Sequence, residues 1–177
     1  FDLLMGLFNP NEGHILIDDL ELNHKNVAAW HSIIAHVPQN VFLYDDTIKN
    51  NIVKSTSNNQ FDESLYVEVL KLSQLKEFIS ELPDKDDTYV GERGAKLSGG
   101  QKQRIGIARA LYKNAKVLFF DEFTNSLDNE TEKNIMSAIE DINKKGKTIF
   151  IISHKLSLLE NCDKIYEFKG SNLLQMI

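Results

Sequence analysis

The stretch LSGGQKQRIGIARAL, Leu97 to Leu111, decides how this chain is read. A serine stands directly ahead of two glycines and a helical run, so Ser98 can cap a helix that anchors through Ile105, Ala108, Leu111 and Tyr112. Glycine permits close approach to the backbone, and the first N–H groups of a helix carry roughly half a positive charge. Ser98, Gly99 and Gly100 therefore suit an anion such as a phosphate. An ordinary serine-capped helix could also begin this way, so the weight rests on the residues around it.

Downstream, VLFF (Val117 to Phe120) and TIFII (Thr148 to Ile152) are short, apolar and aromatic or β-branched, the pattern of strands buried on both faces. Between them DNETEKNIMSAIEDINKKG predicts a helix with Ile135, Ala138, Ile139 and Ile142 on one stripe, ending at Gly146. Strand, helix, strand in that order implies a parallel unit. Upstream, IIAHV (Ile33 to Val37) is a strand stopped by Pro38, and HILIDDLEL after the NPNEG turn is one short strand through Ile15, Ile17 and Leu20. FDLLMGLF reads as the end of a helix. From about Val41 to Tyr112 the chain is mostly helical, broken by polar loops at STSNNQ and ELPDKDDTYVGERGAK. The expected fold is α/β, with a mainly parallel sheet and a helical insert at about 41–112, in a single domain spanning 1–177.

Three of the apolar runs end in polar side chains: Gln39 after IIAHVP, Asp121 and Glu122 after VLFF, His154 after TIFIIS. Polar residues often follow strands because loops are wet. In an open parallel sheet, however, ligands bind beyond the carboxyl ends of the strands, and three such endings together mark that edge as a candidate site. Paired acids after a buried strand suit phosphate chemistry: Asp121 would hold a hydrated Mg2+ and Glu122 would orient or deprotonate the attacking water. His154 could donate to a γ-phosphate oxygen, and Gln39 could offer a neutral oxygen to metal or water. An interior, satisfied histidine is the plainer reading of His154.

Bulk properties narrow the choices. At 177 residues and 42% apolar composition the chain can bury roughly 70% of its unfolded surface. Lys and Arg number 20 against 26 Asp and Glu, a net charge of -6 that argues against a nucleic-acid partner. A single cysteine, Cys162, excludes an internal disulfide. No apolar run approaches the roughly 18 residues of a spanning helix. The chain opens at Phe1 rather than Met, and an N-terminal truncation is expected.

A complete phosphate loop of the form G-x-x-x-x-G-K-(S/T) is missing. Gly146-Lys147-Thr148 is a decoy, because Asp141 stands where the first glycine belongs and the GKT precedes a strand. It reads as a helix-ending turn with a solvated basic flank.

Taken in order, VPQNVFLYDDTIKNNI, TYVGERG, LSGGQKQRIGIARAL, VLFFDEFTNSLD and IISHKLS resemble the nucleotide-binding domain of an ABC transporter of exporter type. They match its Q-loop, X-loop, family motif, Walker B with D-loop, and H-loop over essentially the whole chain. The resemblance implies a P-loop NTPase-like core with a helical subdomain, ATP and Mg2+ as cofactors, and ATP hydrolysis coupled to transport. It also implies a head-to-tail pairing of two such domains, so that Ser98, Gly99, Gly100 and Gln101 contact the ATP of the partner. By the same resemblance Asp121 serves Mg2+, Glu122 hydrolysis, Gln39 metal and membrane-domain coupling, His154 the γ-phosphate and Asp128 the dimer seam. Transmembrane domains would hold the chain at the cytoplasmic face of the membrane.

The family's Walker A loop lies upstream of a helix end like FDLLMGLFNPNEG, so this chain is expected to lack it and, alone, to bind ATP negligibly. The family also usually continues past GSNLLQMI into a further helix. Phe123 stands where a small residue or Pro is usual, Asn125 replaces a common Ser, Lys155 a common Arg and Tyr89 a common acid. Two other readings remain: a non-hydrolytic subunit lending its LSGGQ face to an intact partner, and a soluble chromosome-type ABC ATPase. The latter is disfavoured because there the Q-loop stays with Walker A, whereas Gln39 and LSGGQ share this chain.

Overall fold

The computed structural model describes residues 1–54, 61–170 and 172–176; the predicted STSNNQ loop lies outside the described residues. At the start, Met5 N–H donates to Phe1 O (2.8 Å), Leu7 N–H to Asp2 O (2.9 Å) and Gly6 N–H to Leu3 O (3.0 Å). Gly6 has φ 72°. This is the closure of a helix C-terminus, with glycine in the left-handed position that lets the final carbonyls find donors. The strand expected through Ile15, Ile17 and Leu20 is instead a tight hairpin of β1 (Leu16–Ile17) and β2 (Leu20–Glu21). Asp18, at φ 51°, turns the chain between them, a conformation that Asp tolerates better than most residues. Helix α1 (Val27–Ile33) follows, and its Trp30 is buried with Nε1 donating to Leu4 O (2.9 Å).

Strand β3 (Ile34–Val37) emerges directly from α1, and β4 (Val117–Asp121) and β5 (Thr148–Ile152) complete a parallel sheet of order β3-β4-β5. The register pairs Val37 with Phe120 and Asp121 with Ile152, so all three strands end at nearly the same level. Because side chains alternate, Ala35, Val37, Leu118, Phe120, Ile149 and Ile151 share one face and join the main core. Ile34 and Phe119 face the other way, onto Met5 and Trp30.

Between β3 and β4 lie α2 (Ile48–Val53), α3 (Glu63–Leu72), α4 (Lys76–Ser80) and α5 (Gly99–Tyr112). Helix α5 packs on α2, α3 and β3 and is apolar on its inner face, with Ile105, Ile107 and Ala108 fully buried. Its polar residues pin the segment after β3. Gln103 Nε2 donates to Pro38 O (3.2 Å), and Arg109 donates to Phe42 O (2.9 Å), Asn51 O (2.8 Å) and Asn51 Oδ1 (3.2 Å). At Gly106 the backbone comes so close that a Cβ would stand 2.5 Å from Val41 Cγ2. Asp46, in the same segment, accepts from Thr47 N–H (2.7 Å) and Asn50 Nδ2 (2.7 Å) and pairs with Lys54.

Helix α6 (Asn129–Lys144) puts Ile135, Ile139 and Ile142 into the main core that Ile149 and Ile151 of β5 also join, with Ala138 half-buried on the same stripe. Two further expectations fail. Strand β5 is not buried on both faces: Phe150 and Ile152 are each 38% exposed. It lies at the sheet's edge, α6 covers only one face, and on the other Phe150 is stacked on Phe119 at 5.0 Å. Lys147 is not a solvated flank, since its Nζ donates to Ala115 O (2.6 Å) and Asn114 Oδ1 (2.9 Å), and partial burial lowers its pKa. The tail forms a hairpin of β6 (Tyr166–Lys169) and β7 (Asn172–Gln175).

Two outcomes follow from this packing. Gly106→Ala gains roughly 1 kcal/mol of helix propensity but forces a stiff β-branched neighbour aside, so it should lower unfolding free energy by about 1–2 kcal/mol net in urea titration; adding Val41→Ala should recover most of that. The Lys54 partner, then Asn50 and Thr47, hold the Asp46 carboxyl down at about 2. A depressed carboxylate pKa contributes stability above the unfolded-state value near 3.9 that is lost as pH falls toward the folded one. The urea midpoint of Asp46→Asn should therefore lie below wild type at pH 7 and converge with it by about pH 2.

Candidate functional site

Glu122 follows the last residue of β4 and takes φ 42°, a left-handed conformation uncommon outside glycine. Two bonds hold it there: its N–H donates to Ile152 O of β5 (3.0 Å), and its carbonyl accepts from Asn125 N–H (3.3 Å). The next side chain, Phe123, is 1% exposed and its ring lies 4.7 Å from that of Phe120. The bulky residue is thus accommodated as a core peg beneath the loop, and Glu122 stands at the rim above it.

Three polar side chains meet the Glu122 carboxylate. Gln39 Nε2 donates to Oε2 (2.6 Å), Asn125 Nδ2 donates to the same oxygen (2.7 Å), and His154 Nε2 lies 2.9 Å from Oε1. Gln39 and His154 arrive from the ends of β3 and β5, so the equal level at which the strands stop is what brings them together. The Glu122 side chain is 19% exposed and that of His154 89%, which overturns the reading of His154 as an interior histidine. Asp121, half-buried at the end of β4, shares its face with His36 and Phe119. Burial lowers the pKa of His36, and the charges of Asp121 and Asp2 oppose that lowering. Asn125 is the member that sequence reading missed as a site residue; only its spacing of three from Glu122, with a turn between, could have pointed to it.

The α5 start lies beside this cluster. Ser98 Oγ accepts from Gln101 N–H (3.2 Å) while Gln101 Oε1 accepts from Ser98 N–H (2.8 Å), a reciprocal capping box. Ser98 and Gly99 are exposed, Gly100 and Gln101 half-buried. A Cβ on Gly100 would stand 2.7 Å from Ser126 O, and one on Gly99 3.3 Å from Ser126 Oγ, so the loop from Glu122 to Asp128 packs directly on the glycines. Asp128 ends that loop as the N-cap of α6. It accepts from Thr131 N–H (2.9 Å) and Thr131 Oγ1 (2.7 Å), and those bonds lower its pKa.

The rim offers carboxylate and amide oxygens from Asp121 and Gln39, the hard donors Mg2+ accepts beside water and phosphate oxygens. Among the described residues no group of three or more His, Cys, Asp or Glu could hold a metal by itself. The donor set therefore fits an ion that arrives with a phosphate ligand and not a resident one.

Parallel strands ending in a polar rim, next to a glycine-lined helix start, define an α/β domain of the kind that binds ligands at the carboxyl edge of its sheet. The family model described as "ABC transporter" matches residues 1–125, and the chain belongs to the ABC transporter family. It is 42% identical over 173 residues to an "ATP-dependent lipid A-core flippase" of Francisella tularensis subsp. tularensis (strain FSC 198), covering 98% of this chain and 28% of the flippase. It is 39% identical over 166 residues to a "Multidrug resistance ABC transporter ATP-binding and permease protein" of Lactococcus lactis subsp. lactis (strain IL1403), covering 94% and 28%. A solved bacterial Atm1-family ABC exporter with ATP bound superposes with a TM-score of 0.87 at 38% identity, over 93% of this chain and 29% of that one. The chain thus spans under a third of the length of these relatives and has the mixed α/β fold of their ATPase region.

The loop contact separates the two glycines experimentally. Gly100→Ala should cost about 1–3 kcal/mol, because a backbone oxygen must move. Gly99→Ala should stay within roughly 0.5 kcal/mol of wild type in the same denaturant titration, since the Ser126 hydroxyl can rotate away.

Proposed function

We propose that this chain is the nucleotide-handling part of an exporter-type ABC transporter, in which ATP hydrolysis drives transport through transmembrane domains at the cytoplasmic face. The observation that carries the reading is the convergence of Gln39, Asn125 and His154 on the Glu122 carboxylate. Glu122 is the general base for an attacking water, and Gln39 and Asn125 hold its carboxylate by donating to one oxygen, leaving the other toward His154. His154, exposed on the rim, is the donor to the terminal phosphate. Mg2+, held by Asp121 and Gln39 with the nucleotide, supplies charge neutralisation of the phosphate oxygens.

Ser98, Gly99, Gly100 and Gln101 serve the ATP of a second nucleotide-binding domain, and Asp128 lies at the seam of that head-to-tail pair. The exposure of Ser98, Gly99 and Asp128 beside the Glu122 loop supports this assignment. Residues 41–112 act as a helical subdomain, and the aromatic side chains Phe42, Tyr44 and Tyr89, each more than half exposed, are its docking surface for the transmembrane domains. The bridge between Thr47 and Tyr89 brings the Q-loop and X-loop segments together there.

The test is ATP turnover in the full-length protein. Glu122→Gln should lower kcat by roughly 10^2- to 10^4-fold with ATP binding retained, the loss expected for removing a general base. Turnover that survives this change would refute the assignment.

A further inference from the structure

The His154 side chain is 89% exposed, so beyond its 2.9 Å contact with Glu122 packing does little to aim its ring, and the backbone beneath it matters. That backbone is tied on both sides. Before His154, the carbonyl of Ile152 accepts from Glu122 N–H (3.0 Å). After it, Lys155 Nζ reaches Glu132 Oε2 (2.6 Å) on α6, and Lys155 N–H donates to Ser153 Oγ (3.0 Å), folding the chain around His154. Glu132 is only 12% exposed at its side chain, and its N–H donates to Asp128 O (2.9 Å) in the first turn of α6.

We infer that the Lys155–Glu132 pair positions His154 against Glu122 and ties the histidine to the helix start that Asp128 caps. The inference rests on the hydrolytic reading above. A purely surface ion pair contributes only about 0–1 kcal/mol to stability. This one is short, charge-assisted and half-sheltered, and it joins two segments 23 residues apart directly beside a side chain that approaches Glu122 at 2.9 Å. Its effect belongs in geometry more than in stability. Lys155 acts through His154 and touches no reacting atom, so it is a positioning residue. Because Asp128 and Glu132 share one helical turn, a displacement of the α6 start would carry through Lys155 to His154.

A double-mutant cycle in the full-length protein tests this, with ATP turnover and the His154 ring resonances in histidine-labelled protein as readouts. Lys155→Ala should lower kcat about tenfold with KM for ATP changed less than about twofold, since misplacing a group by around an ångström costs up to 10^2-fold. Lys155→Arg should restore turnover, and Lys155→Ala should add nothing in a His154→Ala background. The melting temperature should move by no more than about 2 °C. Glu122→Gln should shift the His154 ring resonances in wild type but not in Lys155→Ala. Additive losses, failure of Arg to restore, or an unchanged response of the ring to Glu122→Gln would each overturn the inference. Absent turnover in wild type, with the ring response still lost in Lys155→Ala, would refute the hydrolytic reading while upholding the tether.

Discussion

Parallel pairing of β3, β4 and β5 in one register is the constraint from which the rest of the molecule follows. Three strands that stop at a common level must release their chains at a common rim, and Gln39, Glu122 and His154, one or two residues beyond them, meet there. The Glu122 carboxylate sits at that meeting point, taking Gln39 and Asn125 on one oxygen and facing His154 with the other. The left-handed backbone at Glu122 is stabilised by the bond from its N–H to β5, so the strand pairing also sustains the local strain at the site.

Helix α5 carries the same order outward. Its inner residues belong to the core, while Gln103 and Arg109 hold the carbonyls of Pro38, Phe42 and Asn51 on either side of the chain that leaves β3. Gly106 lets Val41 sit against the helix backbone, and Gly100 lets the loop after Glu122 do so one end further along. One helix therefore touches the segments that follow β3 and β4, and does so through glycine and polar side chains that a count of apolar contacts would pass over.

Much of this was legible because the signals were local. VLFF and TIFII had the pattern of strands, Ser98 stood where a cap belongs, and Gly146 closed α6 where the stripe of isoleucines ended. What escaped was set by tertiary context. Nothing in TIFII reveals that Phe150 and Ile152 lie on an uncovered face, since the run is equally apolar on both sides. The turn at Asp18 splits a plausible strand into a hairpin because two acids tolerate a bend that the flanking pattern conceals. Lys147 read as solvent-facing charge, yet the carbonyl it satisfies belongs to Ala115, 32 residues away. Asn125 gave no sign of its bond to Glu122 because a side-chain amide in a polar loop is unremarkable until the loop is folded.

The capping box at the start of α5 also fixes the state of the helix's first donors. Ser98 and Gln101 already answer each other's N–H groups, so the cradle is never left with those donors bare. An incoming oxyanion would exchange with the Gln101 carbonyl for the Ser98 N–H and would not have to wait for a loop to organise. The exchange would replace a neutral acceptor by a charged one on a donor that is already in place, so the gain would come from charge and not from building a new loop.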